Sequence, residues 1–199
     1  MPYSSIKETR RLQILEALND CLLAASFSET SIKEIAKKAG VNHGVLHYYF
    51  KNKEDILLNY IDFIIERYIM IFREWLPAAH KKYADQKVFI EKTFHFMYNR
   101  ITLDRHISKV FIEIWEISLY NKQVRQKLKQ MYRIWEQKTT DELTRILKDR
   151  KAAKQMGVAM ICFLEGVSLL SNIFTDKEYD WKAILNTVQK RGLGVLFKK

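Results

Sequence analysis

The sequence predicts an all-α chain, and three observations carry that prediction. Its 199 residues include only 6 Gly and 2 Pro, so long stretches lack the residues that break regular structure. Apolar residues recur at intervals of three and four, the period of one helix face, through most of the length. Serine, aspartate or asparagine stands where several of those runs begin, and these side chains accept the free backbone N–H groups of a first helical turn. No segment alternates apolar and polar residues as a half-buried strand does.

Residues 5–25 read as an amphipathic helix with Ile6, Ile14, Leu15, Leu18, Cys21, Leu22 and Ala25 on one side. Arg10 and Arg11 lie near its start, either in reach of a phosphate or in solvent, and Phe27 in the following loop is expected to plug the core beneath. Ser31 and Glu34 have the spacing of a capping box. The helix they start has Ile32, Ile35, Ala36 and Ala39 inward and Lys33, Lys37 and Lys38 outward, and Gly40 stops it. Asn42 caps a second short helix with Val45, Leu46, Tyr49 and Phe50 inward and His43, Gly44, His47 and Tyr48 outward. Asn52, with Asp55 three residues on, opens a third, which continues through Ile56, Tyr60, Phe63, Ile64, Tyr68, Ile71, Phe72 and Trp75 and is expected to end before Pro77.

Beyond it, 80–87 reads as a polar connection and 86–101 as a helix. Asp104 caps a helix to about 120, and a long one follows over 121–149. The last two helices are 152–174 and 181–197, the latter capped by Asp180. Gly157, Ala159, Gly166, Ser168 and Ser171, with Gly192 and Gly194, give these two the small residues that close helix contact requires.

Two short helices around a glycine turn, the second too short to be stable alone, have a physical purpose in DNA recognition. A helix-turn-helix lays its second helix in the major groove and needs small residues where the pair touch, and Ala36 and Ala39 stand there. Side chains pointing away from the apolar stripe then divide by reach. His43, Gly44, Val45, His47 and Tyr48 are candidates for base edges; Ser31, Lys33, Tyr49, Lys51 and Lys53 are candidates for phosphate.

The net charge of +11 is placed elsewhere. Residues 1–60 carry eight Lys+Arg and seven Asp+Glu, or +1, whereas 120–155 carry eleven against four, or +7. That second excess reads as a solvated helix face that raises long-range attraction to DNA at low salt. Cys21 and Cys162 read as small core residues of a reducing compartment. The N-terminus has no signal-peptide pattern, and the most apolar run, 158–174, is interrupted by Glu165 and Asn172 and is expected to be too short to span a bilayer. The expected location is the cytoplasm.

The run from Thr30 to Leu57 resembles the TetR family of bacterial transcriptional regulators. The family's elements appear as Thr30-Ser31, Ile35-Ala36, Ala39-Gly40-Val41, Tyr49-Phe50 and Lys53-Glu54-Asp55-Ile56-Leu57. His47 stands where tyrosine is common, and Ser31 where threonine is. The resemblance implies a helix-turn-helix domain over 1–52, and over 53–199 a helical bundle that binds a small-molecule effector. It also implies a homodimer formed by the last two helices, reading a pseudo-palindromic DNA operator, usually as a repressor.

The resemblance further implies an effector pocket where the second half of the chain is aromatic. Phe94, Tyr98, Phe111, Trp115, Tyr132, Trp135 and Phe163 are first of all packed core, and second the candidates to line it. Glu165 joins them because a carboxylate in an apolar run requires a partner, either a lysine or arginine of this chain or of the other subunit, or a ligand cation held by Glu165 or by Glu113 and Glu116 and faced by Trp115, Trp135 or Tyr98. His43 and His47 stand four apart, but Gly44 occupies the place of the glutamate in the zinc motif of that spacing, so no metal is expected. His80, His95 and His106 have no partner at ligand spacing. No cofactor and no catalytic site are expected, since no nucleophile has a base beside it. The rival reading is a helical protein that uses its basic face on RNA or an anionic membrane surface.

Overall fold

A computed structural model of the chain describes residues 6–197, and the helix start expected at residue 5 lies outside them. Among the described residues the secondary structure is helical, with no strand. The helices are α1 (Ile6–Ala24), α2 (Ile32–Lys38), α3 (His43–Tyr49), α4 (Lys53–Lys82) and α5 (Gln86–Met97), then a π-helical turn (Tyr98–Thr102), α6 (Arg105–Tyr120), α7 (Lys122–Leu147), α8 (Arg150–Ile173) and α9 (Trp181–Leu196).

Their starts follow the side chains. Asp85 accepts from Val88 N–H at 2.8 Å, Asp104 from Ile107 at 3.1 Å, Asn121 from Val124 at 3.1 Å and Asp180 from Ala183 at 2.9 Å. Asp149 begins α8 in the same way. Each such cap contributes on the order of 1 kcal/mol.

Packing divides the chain into two compact units. One contains the residues up to Ile69 together with Lys109–Leu128; the other contains Met70–Ser108 and the chain from Lys129 onward. The division falls inside α4, α6 and α7.

The first unit packs Ile14, Leu18 and Leu22 of α1 against Ile35, Ala36, Leu46, Phe50 and the start of α4, where Ile56, Leu57, Tyr60 and Ile61 are fully buried. The Tyr60 hydroxyl donates to Asn19 at 2.7 Å, and burial pushes its pKa upward. Burial on α1 begins only at Ile14, so Ile6, expected inward, is 83% exposed, and Ala25 is exposed beyond the helix end.

The second unit has a core of Phe94, Tyr98, Val167, Trp181 and Leu185, flanked by Leu103, Met160, Phe163, Leu164, Phe174 and Ile184. Helix α4 does not end before Pro77 as expected; it continues to Lys82. The ring costs one backbone hydrogen bond, but residues on either side are held by α5. Trp75 stacks on Phe96 with centroids 4.5 Å apart, and His80 stacks on Phe89 at 4.4 Å.

Helix α8 reverses two expectations. Cys162 is exposed rather than buried, and the small residues split between two faces. Gly157, Ser168 and Ser171 point inward, where a Cβ on Gly157 would meet Thr139 Cγ2 of α7 at 3.2 Å. Gly166, and Gly192 and Gly194 of α9, face open space. At 24 residues α8 is also long and apolar enough, by length and composition, to cross a bilayer, longer than the 158–174 run that was expected to be too short.

Candidate nucleic-acid interface and effector site

The α2–α3 pair is built as its capping residues dictate. Glu34 N–H donates to Ser31 Oγ at 3.2 Å, and Ser31 N–H donates to the Glu34 carboxylate at 2.6 Å. These bonds hold the Glu34 carboxyl below its ordinary pKa. Gly40, at φ +64°, makes the turn in the region a Cβ disfavours. Asn42 Oδ1 accepts from Val45 N–H at 2.8 Å and starts α3.

Seven residues are too few for a helix to stand alone, so packing must hold α3. Leu46 and Phe50 are buried to 0% and 1% exposure, each contributing roughly 1.5–3 kcal/mol. Opposite them, His43, Gly44, His47 and Tyr48 are exposed, with Tyr48 at 73%. Val45, expected inward from periodicity but also offered as a base contact, is 37% exposed, while Tyr49 is half-buried. Ser31, Lys33 and Lys51 are exposed on the same unit.

Lys53 is different. Its ammonium donates to the carbonyls of Phe27 and Ser28 and to that of Thr30 at 2.6 Å, and lies 4.3 Å from the Phe27 ring centroid. Burial lowers its pKa, with Glu34 opposing. The amine expected on phosphate is instead the clamp of the loop that leads into α2.

Arg11, whose role the sequence left open, is likewise internal. Its guanidinium donates to the Tyr49 carbonyl at 3.0 Å and to Asn59 Oδ1 at 2.7 Å, and lies over the Phe50 ring at 4.6 Å. It thus joins α1 and α4 to the end of α3. Two residues of α6 hold the end of α1: Lys109 donates to Leu23 O at 2.6 Å, and Glu113 accepts from Phe27 N–H at 2.5 Å. None of these was legible in spacing, since each partner is distant in sequence.

The aromatic residues offered for an effector do not form one group. Phe94, Tyr98 and Phe163 belong to the core of the second unit, with Phe94 and Tyr98 edge to face at 5.7 Å. Tyr132 and Trp135 form another edge-to-face pair at 5.6 Å, and Tyr132 donates to Glu165 at 3.0 Å. Phe111 and Trp115 fall in the first unit, where Phe111 packs 5.8 Å from Tyr68. The cause is α6, whose later turns belong to the other core.

Within the chain Glu165 is bonded by a phenol, that of Tyr132. Burial raises its pKa to about 7, and the Tyr132 bond opposes that rise. In the same unit, Trp181 Nε1 is buried with no hydrogen-bond acceptor. Among the described residues no group of three or more metal-ligating side chains occurs. An open groove of about 460 Å³ lies in the first unit, lined by Leu58, Asn59, Asp62, Lys122, Gln123, Gln126 and Lys127.

A short, externally polar helix, capped at its start and braced at its end, defines a helix-turn-helix DNA-binding protein. Residues 14–60 match the sequence profile of the bacterial regulatory proteins of the tetR family, and this N-terminal domain belongs to that family. The chain is 24% identical over 186 residues to the fatty acid metabolism regulator protein of Bacillus subtilis (strain 168), covering 92% of this chain and 93% of that one. Its fold is shared with the fatty acid degradation regulator FadR of Bacillus halodurans, with a TM-score of 0.73, 21% identity, and coverage of 96% and 97%. It is shared too with FadR of Bacillus subtilis in complex with stearoyl-CoA, with a TM-score of 0.69, 23% identity, and coverage of 90% and 95%. Residues 14–60 thus carry a TetR-type DNA-binding domain in a ligand-responsive regulator fold, and the rival reading, a basic face for RNA or a membrane, is not favoured. The relatives are regulators rather than enzymes.

Proposed function

We propose that the protein is a dimeric repressor that reads a pseudo-palindromic operator with two copies of α3 and releases it when an acyl thioester of the fatty-acyl-CoA class binds the second unit. Residues 1–52 are then the DNA-reading part, and 53–199 the effector-binding and dimerising part. The observation that carries the DNA half is the outward face of α3: His43, Gly44, His47 and Tyr48 are exposed on a helix whose opposite face is buried. Ser31, Lys33 and Lys51 are the phosphate contacts on this reading, and Lys53 is a positioning residue.

The effector class is supported by the fatty-acid regulators among the relatives and by the chemistry of the second unit. Glu165, whose carboxyl burial pushes up to about 7 so that part of it holds its proton near neutral pH, and the unaccepted Trp181 N–H are donors suited to a carbonyl oxygen in an apolar core.

The dimer is supported by apolar surface left uncovered on α8 and α9. Leu170, Ile173, Val188 and Val195 are 41%, 64%, 41% and 65% exposed, beside Gly166, Gly192 and Gly194. An apolar helix face of that extent marks a protein interface. A cytoplasmic location is the reading its regulatory relatives support.

The test is to select bound sites from random DNA and then titrate the complex with stearoyl-CoA. A two-fold-related consensus, released by stearoyl-CoA and not by lipophilic cations, is the expected result. Binding indifferent to sequence and abolished by salt would refute the reading.

A further inference from the structure

His43 and His47 stand one turn apart on the exposed side of α3, with ring centroids 4.4 Å apart and their Nε2 atoms 3.3 Å apart. Two ring nitrogens this close either share one proton or converge on one electrophile. With metal–nitrogen bonds of about 2.1 Å, a separation of 3.3 Å subtends an angle of about 105° at the metal, close to tetrahedral. Gly44, beside His43 on the helix, carries no side chain, and the Asn42 amide oxygen is committed to the Val45 N–H.

We propose that His43 and His47 form a bidentate site for a divalent transition-metal ion of the zinc, nickel or copper class, and that filling it switches off operator recognition. Imidazole nitrogen suits these ions and does not suit magnesium or calcium. With no third protein ligand among the described residues, water completes the coordination sphere, as in an open site. The ion occupies both Nε2 atoms, so neither can bond a base edge, and it fills the space a base pair must enter. Attraction to phosphate persists, because the lysines are untouched and the ion adds positive charge. The metal site stands on the side-chain geometry alone; the switch rests on the operator-binding function proposed above.

The experiment uses untagged full-length protein, titrated with zinc chloride, and separately nickel chloride, by calorimetry without DNA. One ion per chain is expected, with affinity falling at least about tenfold in His43→Gln and in His47→Gln, since each breaks the chelate. His106→Gln, on an exposed position of α6, is expected to bind as the wild type does. Circular dichroism establishes that the exposed-site variants remain folded. Zinc is then added to the complex with a selected operator, and at least about tenfold weaker binding, restored by EDTA, is expected. Absence of metal binding, or binding unaltered in both histidine variants, overturns the site. Operator affinity unchanged at saturating zinc overturns the switch. Failure to select any operator refutes the regulatory function while leaving the zinc titration decisive.

Discussion

Arg11, in the second turn of α1, donates a hydrogen bond of 3.0 Å to the carbonyl of Tyr49, the last residue of α3. A cation on the C-terminal carbonyls of a helix satisfies an orphan acceptor and opposes the helix dipole. Because the same guanidinium also binds Asn59 at 2.7 Å, the DNA-reading helix is fixed against both α1 and α4. Arg11→Ala is expected to lower stability by about 2 kcal/mol in urea denaturation, and Arg11→Lys to recover only part of it, since an ammonium cannot reproduce the fork. A variant as stable as the wild type would remove the brace.

Lys53 and Lys51 should separate in a salt titration. Lys51 is exposed, whereas Lys53 donates to the carbonyls of Phe27, Ser28 and Thr30. Lys51→Ala is expected to reduce the slope of log affinity against log salt by about one, as the loss of a phosphate contact does. Lys53→Met should leave the slope unchanged and cost about 2 kcal/mol of stability.

Tyr48, 73% exposed on α3, carries no part of the core. Tyr48→Ala is expected to leave the melting temperature unchanged and to cost about 1–3 kcal/mol on the selected operator, with little effect on random DNA. Equal losses on both DNAs would move its contact from base to backbone.

Glu165 gives a pH dependence with a defined sign. Its pKa is raised from 4.5 to about 7 in the folded chain, so the folded state holds the proton that the unfolded state releases. Its contribution is therefore favourable below pH 4.5, declines as pH rises from 4.5 to 7, and changes no further above. Glu165→Gln, which keeps an acceptor for Tyr132 and cannot ionise, should flatten that decline and be the more stable protein at pH 7.5, by an amount on the order of a few kcal/mol. Chemical denaturation at a series of pH values reads the difference directly.

Gly166 and Ser168 lie two residues apart and should respond oppositely to enlargement. A Cβ on Gly166 meets nothing within 4 Å, while Ser168 is buried at 6% exposure. Gly166→Trp should leave the protomer folded and shift sedimentation toward monomers, because only a partner helix would be struck. Ser168→Trp should destabilise the protomer itself, by about 1–3 kcal/mol, through overpacking. Gly166→Trp sedimenting as an unaltered dimer would place the interface elsewhere.

The sequence by itself determined what is local. Ser31 and Glu34, Gly40, Asn42 and Asp180 act on backbone groups within four residues, so the helix starts and the turn between α2 and α3 follow from spacing alone. The outward face of α3 was legible for the same reason, through the 3.6-residue period that buries Leu46 and Phe50 and exposes His43, His47 and Tyr48. Only the tertiary structure decided what depends on partners far along the chain. Lys53 was a phosphate contact by sequence and is a loop clamp because Phe27 and Thr30 fold back to it. Arg11 finds its partners 38 and 48 residues away, and Glu165 finds Tyr132 at a separation of 33. Pro77 failed to end α4 because stacking of Trp75 and His80 on α5 offsets the one hydrogen bond its ring removes. The small residues of α8 show the same division: their type was evident, but whether each faced α7 or open space depended on the rotation of the helix in its core, which no periodicity fixes when both faces are apolar.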